Sequence, residues 1–192
     1  MHKQPEVTDA TRKCLIDTFF SLYRENPIEK ITVKKITELS GYNRSTFYVY
    51  FQDVYDLLEY SENQLVNHIC TILMDTPAEE AMFTTNFFRT FTEIINTHSY
   101  FSVIIQKSSE RSSFTSKMSE QLTELFLLKY HVSKDEREIF YALNFHISGM
   151  IALLGLWFND QNKISVESLG DMINTYLHKG LFTLLQIHGI KV

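Results

Sequence analysis

A single glycine turn at residues 40–42 separates two short segments, each with its apolar residues at helical spacing. Thr32 can cap the helix predicted over residues 33–39, and Asn43 can cap a second helix after the turn. Glycine suits the left-handed backbone with which many helices end. The sequence therefore predicts two short helices joined by a tight turn, and any fold of this chain has to accommodate that pair.

The second of these helices, predicted over residues 44–50, has one apolar and one polar face. Phe47 and Phe51 are four residues apart, so they share the face that we predict packs against Ile36 and Leu39. The other side chains can hydrogen-bond to phosphates and base edges, or contact a thymine methyl group. This outward set is Arg44, Ser45, Thr46, Tyr48, Val49 and Tyr50.

Two short helices with such an outer face predict a helix-turn-helix whose second helix enters the major groove of DNA. Thr32 and Lys35, at the start of the first helix, would reach the phosphate backbone, and the free N–H groups there attract phosphate. The alternative is that the outward tyrosines rest on solvent or pack against another helix.

The rest of the chain also has helical patterning. Glycine and proline are scarce, six and three in 192 residues, which disfavours a turn-rich β protein. We predict an all-α fold of about nine helices, with a three-helix head at residues 1–52 and a larger helical bundle at 53–192. Start signals appear at residues 76–79 and at Ser133 with Glu136. The helices are predicted near 9–25, 33–39, 44–50, 54–74, 78–97, 99–108, 113–131, 134–158 and 166–188.

Charge is unevenly distributed along the chain. The net charge is −5, yet residues 30–50 carry four basic side chains against Glu38 alone, a local charge of +3. Residues 53–192 carry ten basic and seventeen acidic side chains, a local charge of −7. A phosphate-binding surface needs only local positive charge, so a nucleic-acid partner is compatible with the acidic total.

Other classes of protein receive little support. The common hydrolase, zinc-protease and nucleotide-binding motifs do not occur, so we do not predict an enzyme, a metal site or a cofactor. Cys14 and Cys70 are far apart, which fits a reducing cytoplasm; a redox sensor is the alternative. Residues 139–159 are uncharged and long enough to span a bilayer. Their polar residues and the lack of flanking basic clusters favour a buried or interface helix instead.

Residues 31–58, ITVKKITELSGYNRSTFYVYFQDVYDLL, resemble the N-terminal signature of the tetracycline-repressor (TetR) family of transcriptional regulators. That signature is roughly T-V-x-x-I-A-x-x-A-G-V-S-x-G-T-x-Y-x-H-F-x-x-K-x-x-L. The chain departs from it by having Asn43 where serine is usual, Ser45 where glycine or alanine is usual, and Val54 where lysine is common. The matching positions are Thr32, Val33, Ile36, Gly41, Thr46, Tyr48, Phe51 and Leu57.

The resemblance implies roles for single residues in the head. Thr32 and Lys35 would contact the DNA backbone, and Tyr50 would bind a phosphate. The loss of a lysine at Val54 would remove one phosphate contact. The residues that would line the recognition helix and its turn are Tyr42, Asn43, Arg44, Ser45, Thr46 and Tyr48.

The resemblance also implies that the C-terminal body forms a homodimer, so that the operator would be roughly palindromic. Small residues recur at helical spacing in 134–158, and a glycine lies within the last predicted helix. Glycine inside a helix costs about 1 kcal/mol relative to alanine, so close helix approach is one reason to keep it. The alternative is internal packing alone. The predicted interface residues are Ser148, Ala152, Gly155, Ile173, Tyr176, Gly180 and Leu184.

A small-molecule effector is the further implication of the resemblance. We predict an apolar or aromatic compound, because no arginine lies within the predicted lining, and a repressor, because that is the habit of the family. The alternative is regulation by a protein partner, which a filled core with an exposed apolar patch would favour. The predicted lining is Phe87, Phe91, His98, Phe101, Phe126, Tyr141, Asn144, Phe145 and His146.

Overall fold

The computed structural model describes residues 5–75, 85–108 and 112–187, and all secondary structure in these ranges is helical. The prediction of an all-α fold with about nine helices is confirmed for these ranges. A 3-10 turn, Ile28–Lys30, lies between the first two helices. The helices are α1 (Pro5–Tyr23), α2 (Val33–Ser40), α3 (Arg44–Tyr50), α4 (Val54–Asp75), α5 (Thr85–Thr97), α6 (Ser99–Gln106), α7 (Ser112–Lys129), α8 (Arg137–Asn159) and α9 (Val166–Ile187).

The chain divides into two compact units. The first contains the residues up to Val66 together with His98–Ile104, and the second contains Asn67–Thr97 together with the residues from Ile105 onward. The division falls within α4, so this helix belongs to both units. The functional boundary predicted after residue 52 stays a prediction.

Aromatic packing holds the first unit together. Phe19 and Tyr23 of α1 stack with their ring centroids 5.4 Å apart, and Phe20 stacks on Tyr100 of α6 at 5.0 Å. Phe47 of α3 is fully buried beside Phe51, with ring centroids 5.7 Å apart. These contacts tie α1, α3 and α6 into the core of one unit, because large apolar side chains gain most from leaving water.

Leu39 corrects one prediction about this core. Its side chain is 61% exposed, while Ile36 and Thr37 are buried. Residues 33, 36, 37 and 40 share one face of α2 by helical geometry, and residue 39 lies outside that face. The Thr37 hydroxyl is tolerated inside because it donates to the backbone carbonyls of Val33 and Lys34 at 2.9 and 3.0 Å.

The second unit is built from two helix pairs, α5 with α9 and α7 with α8. Its apolar core is well filled, as expected where helices pack side by side. The buried side chains on these four helices include Phe91, Ile95, Phe114, Met118, Leu127, Ile147, Ile151, Leu154, Leu169 and Ile173.

The start of α8 differs from the prediction. The helix begins at Arg137, later than predicted, and the capping box of Ser133 and Glu136 does not form. Ser133 Oγ instead accepts a hydrogen bond from the backbone N–H of Asp135 at 3.2 Å. A serine that bonds two residues ahead stabilises a turn rather than a helix, which explains the delay. The start signal at residues 76–79 lies outside the described residues.

Tyr100 gives a test of the first unit's packing. Burial, together with the nearby charges of Tyr60 and Asp17, raises the pKa of Tyr100 to about 12. Tyrosine in an unfolded chain titrates near 10. Above pH 10 the unfolded state therefore loses this proton while the folded state keeps it, and stability falls between about pH 10 and 12. Below pH 10 both states keep it, and this contribution is fully present.

We expect Tyr100→Phe to remove part of that alkaline loss. Denaturant unfolding at pH 9, 10 and 11 should show a shallower decline in the free energy of unfolding for this variant than for the native chain. Tyr55→Phe, at an exposed position of α4, is the control and should follow the native chain. Equal declines in all three proteins would contradict the buried position of Tyr100.

Candidate nucleic-acid interface

The turn between α2 and α3 has the geometry of a helix-turn-helix. Thr32 caps α2, its side chain accepting a hydrogen bond from the Lys35 backbone N–H at 3.2 Å. Gly41 follows α2 with φ of 75° and ψ of 11°, the left-handed conformation that a side chain would strain. The caps predicted at Thr32 and Asn43 are both present.

Asn43 organises the first turn of α3. Its Oδ1 atom accepts from the backbone N–H of Thr46 at 2.8 Å, and also from the hydroxyls of Thr46 at 2.8 Å and Ser45 at 2.6 Å. The usual serine cap could not accept three such bonds as easily, because a carbonyl oxygen has no hydrogen of its own to direct. The two hydroxyls thus spend their protons on Asn43 and keep lone pairs available as acceptors.

Phe47 fixes which face of α3 is presented outward. With Phe47 fully buried, Tyr48 and Val49 are 58% and 64% exposed, and Arg44 and Ser45 are exposed as well. Tyr42, Thr46 and Tyr50 are partly buried at the edges of this surface. The nine residues predicted to contact DNA therefore lie on α2, the turn and α3 with part of each side chain accessible.

Charge on this surface is positive but partly offset. The Lys34 ammonium lies 3.7 Å from the Glu38 carboxylate, an exposed pair four residues apart. The side chains of Lys35 and Arg44 are exposed and make no ion pair with the described residues. The Asp53 carboxylate accepts from the N–H groups of Tyr55 and Asp56 at 2.8 and 2.9 Å, so its charge serves the start of α4.

Arg12 of α1 is a candidate that the sequence reasoning missed. Its guanidinium carbon lies 5.5 Å from the ring centroid of Tyr50 and 5.6 Å from that of Tyr60, and one of its nitrogens lies 3.2 Å from the Asp9 carboxylate. Cations over aromatic faces are attracted by the ring quadrupole. Arg12 thereby links α1 to the end of α3, a long-range contact that no local sequence pattern announces.

The predicted effector residues do not form one cavity. His98 and Phe101 belong to the first unit, where their rings lie 4.8 Å apart. Phe91 and Phe126 line a small apolar cavity of about 40 Å³ in the second unit, and Tyr141 and Phe145 are exposed on α8. Asn144 and His146 line two separate grooves. The side chain of Phe87 lies outside the described residues.

The predicted dimer residues fall on two faces of α8. Ser148, Ala152 and Gly155 line a groove beside α7, whereas Ile173 and Tyr176 line a second groove between α8 and α9. That second groove has a volume of about 320 Å³ and is mostly apolar, with Phe145 and Gly149 along its α8 side. The side chain of Leu184 lies outside the described residues.

Both glycines of that prediction have reasons other than a dimer contact. A Cβ at Gly155 would lie 3.2 Å from Ser108 Oγ and 3.7 Å from the Ile105 carbonyl oxygen, so the close approach is within the chain. Gly180 has φ of 79° and ψ of 170°, which kinks α9, and nothing lies within 4 Å of a Cβ built there. The internal-packing alternative thus accounts for Gly155, and backbone conformation accounts for Gly180.

α8 is also the one described helix that is long and apolar enough to cross a membrane. Its most apolar window has a mean hydropathy of 1.7, and 22% of that window is buried within the chain. Exposed apolar side chains on a helix of a soluble fold mark an interaction surface just as readily.

Comparison with known proteins agrees with this architecture. A family model described as the transcriptional regulator C-terminal region, of the TetR type, matches residues 84–179, half of the chain. A TetR transcriptional regulator from Streptococcus agalactiae 2603V superposes with a TM-score of 0.63 at 19% identity, covering 90% of this chain and 96% of that one. No curated protein sequence matches the chain.

Two further solved structures have the same fold. A TetR-family transcriptional regulator from Streptomyces coelicolor gives a TM-score of 0.64 at 13% identity, covering 93% of this chain and 83% of that one. The fatty acid degradation regulator FadR from Bacillus halodurans gives 0.59 at 17%, covering 94% and 98%. With the family model covering half of its length, the chain belongs to the TetR family of transcriptional regulators.

Proposed function

We propose that this regulator binds a roughly palindromic DNA operator as a homodimer, with α3 of each copy in the major groove. The observation that carries the proposal is the division of α3 between the buried Phe47 and the exposed Tyr48 and Val49. A helix that lies in the groove has to offer base-reading groups on one side and be held firmly on the other. Exposed tyrosine and valine side chains, next to unpaired cations, have no role in the core.

The proposed DNA contacts divide into two kinds. Lys35, Arg44 and the N-terminus of α2 would position the head on phosphates, with Tyr50 held by Arg12 at the edge of the surface. Tyr48 and Val49 would reach base edges, where a tyrosine hydroxyl can hydrogen-bond and a valine methyl can contact thymine. Thr32, Tyr42, Asn43, Ser45 and Thr46 complete the proposed interface.

Dimerisation through α8 and α9 is supported by what these helices expose. Phe145 is 65% exposed, and it borders the apolar groove that Tyr176 and Gly149 also line. A second copy bringing the same two helices would cover this groove by a two-fold, self-complementary contact. We therefore centre the proposed interface on Phe145, Gly149 and Tyr176 rather than on Gly155.

Control of DNA binding has two candidate forms. Release of a repressor by a small apolar or aromatic effector requires space, and the cavity beside Phe91 and Phe126 has only about 40 Å³. That is far below the roughly 300–1,000 Å³ of small-molecule sites, so an apolar ligand would have to open the core. The filled core and the exposed apolar residues of α8 instead favour the second form, regulation by a protein partner.

Arg44 provides a test of the proposed phosphate contacts. We expect Arg44→Gln to weaken binding to the DNA upstream of the protein's own gene and to lower the salt slope by about one unit, because one cation fewer meets the phosphates. Fluorescence anisotropy at several salt concentrations measures both quantities. Arg24→Gln is the matched control, since Arg24 is exposed on the residue after α1 and carries the same charge. Equal slopes for both variants would contradict the assignment.

Tyr48 provides a test of sequence reading. Tyr48→Ala should cost about 1–3 kcal/mol of specific affinity, since a base-edge contact is lost, and should leave binding to scrambled DNA nearly unchanged. The measurement is the ratio of the two dissociation constants. Circular dichroism and light scattering should show an intact fold, because the removed side chain is mostly exposed. An unchanged ratio would argue that Tyr48 faces solvent in the DNA complex.

The α8–α9 interface can be tested with one substitution and a matched control. Phe145→Glu should convert the dimer to a monomer at micromolar concentrations, because each subunit would bury an unpaired carboxylate. Leu128→Glu on α7 introduces the same charge at a side chain that is 66% exposed, outside that groove. Sedimentation velocity distinguishes the states. A Phe145→Glu dimer, or dissociation by Leu128→Glu alone, would move the interface elsewhere.

A further inference from the structure

The largest groove of the second unit lies between α7 and α8 and is lined mainly by polar side chains. Its volume is about 950 Å³, at the upper end of the roughly 300–1,000 Å³ of small-molecule sites. Ser116, Ser119 and Thr123 line it from α7, and Asn144, Ser148 and Asn159 line it from α8. A seam between two packed helices is ordinarily apolar, so a row of hydroxyls and amides here calls for a physical reason.

Thr123 provides the second observation. Its side chain is only 2% exposed, and its Oγ1 atom has no hydrogen-bond partner. Thr123 is the one case of this kind among the described residues. A buried hydroxyl without a partner destabilises the fold, whereas valine would fill the same space without that cost. The hydroxyl lines the groove, so a ligand there could supply the missing bond.

Neighbouring polar groups have spare hydrogen-bonding capacity. Ser119 and Ser148 bond to each other across the two helices at 3.1 Å, which leaves one of the two hydroxyl protons to direct elsewhere. Asn144 donates to the Phe140 carbonyl at 2.9 Å, and Asn159 donates to the Gln106 and Gly155 carbonyls at 2.8 and 3.0 Å. The Oδ1 atoms of both asparagines accept no hydrogen bond from the described residues. The groove thus offers donors and acceptors side by side.

The charges around the groove balance. Glu120 and Glu124 stand against Lys134 and Arg137, and the Lys134 ammonium is already 2.6 Å from the Glu124 carboxylate. An anionic ligand would meet two carboxylates, and a cationic ligand would meet two cations. A neutral ligand avoids both repulsions. Phe140 and Ile151 supply apolar surface beside the polar row, suited to the C–H face of such a ligand.

From these features we infer that the α7–α8 groove binds a neutral small molecule with several hydroxyl groups, of the sugar or sugar-alcohol class. Hydroxyls both donate and accept, as the lining requires, and one of them satisfies Thr123. This inference concerns binding by the free protein, and it stands whether or not α3 binds DNA. It also differs from an aromatic effector, for which the second unit has the 40 Å³ cavity alone among the sites described here.

The test is methyl NMR on protein labelled at the threonine methyl groups, without DNA. The probes are glucose and sorbitol, each titrated to saturation, with 1-hexanol as a six-carbon probe that has a single hydroxyl. The Thr123 signal is identified as the one missing from the spectrum of Thr123→Val. We expect saturable shifts of this signal with glucose or sorbitol and none with 1-hexanol.

Two variants separate the site from general effects. Thr123→Val should keep or raise the melting temperature, because the removed hydroxyl has no partner, while affinity for the bound probe falls about two- to tenfold. Thr92→Val on α5 is the matched control; its hydroxyl bonds to the Arg89 carbonyl at 2.8 Å, away from the groove. Its affinity for the probe should equal that of the native chain.

Three results would overturn the inference. These are no saturable shift with either hydroxylated probe, an equal or larger response to 1-hexanol, or an affinity that Thr123→Val does not change. A weakened affinity in Thr92→Val equal to that in Thr123→Val would also count against it, because the effect would then not belong to the groove.

Discussion

The burial of Phe47 is the contact on which the head of this regulator depends. α3 has only seven residues, far fewer than the roughly 12–15 at which an isolated helix becomes even marginally stable in water. It exists because Phe47 is enclosed by the core and because Asn43 satisfies three donors at its first turn. The same anchor directs Tyr48 and Val49 outward. One buried ring therefore determines both the stability of the helix and the surface that it offers.

The second unit uses α8 in a comparable way, with two grooves on different sides of one helix. Toward α9 the lining is apolar and includes Phe145 and Tyr176; toward α7 it is rich in hydroxyls and amides. Gly155 lets the helix approach Ser108 closely, since a Cβ there would crowd the serine hydroxyl. An apolar groove suits another protein surface, and a polar groove suits a small hydrogen-bonding molecule. A single helix can thus couple association and ligand binding.

Local sequence signals predicted the head well, and for reasons that are local. Caps at Thr32 and Asn43 and the glycine turn depend on a few neighbouring residues, so the pattern alone located them. Leu39 was misassigned because apolar character was followed without testing the helical face; the satisfied hydroxyl of Thr37 lies inside instead. Arg12 was missed because its contacts with Tyr50 and Tyr60 join residues distant in the chain.

The sequence by itself determined the helical class, the helix-turn-helix and the resemblance to the TetR family, since periodicity, caps and turn residues act within a few positions. Only the tertiary structure decided which aromatic residues share a cavity and which face of α8 meets which neighbour. His98, Phe126 and Phe145 look alike in the sequence, yet they lie in a core contact, a small cavity and an exposed edge respectively. Cavities and grooves arise from packing between distant segments, and the spacing of residues along one helix cannot specify them.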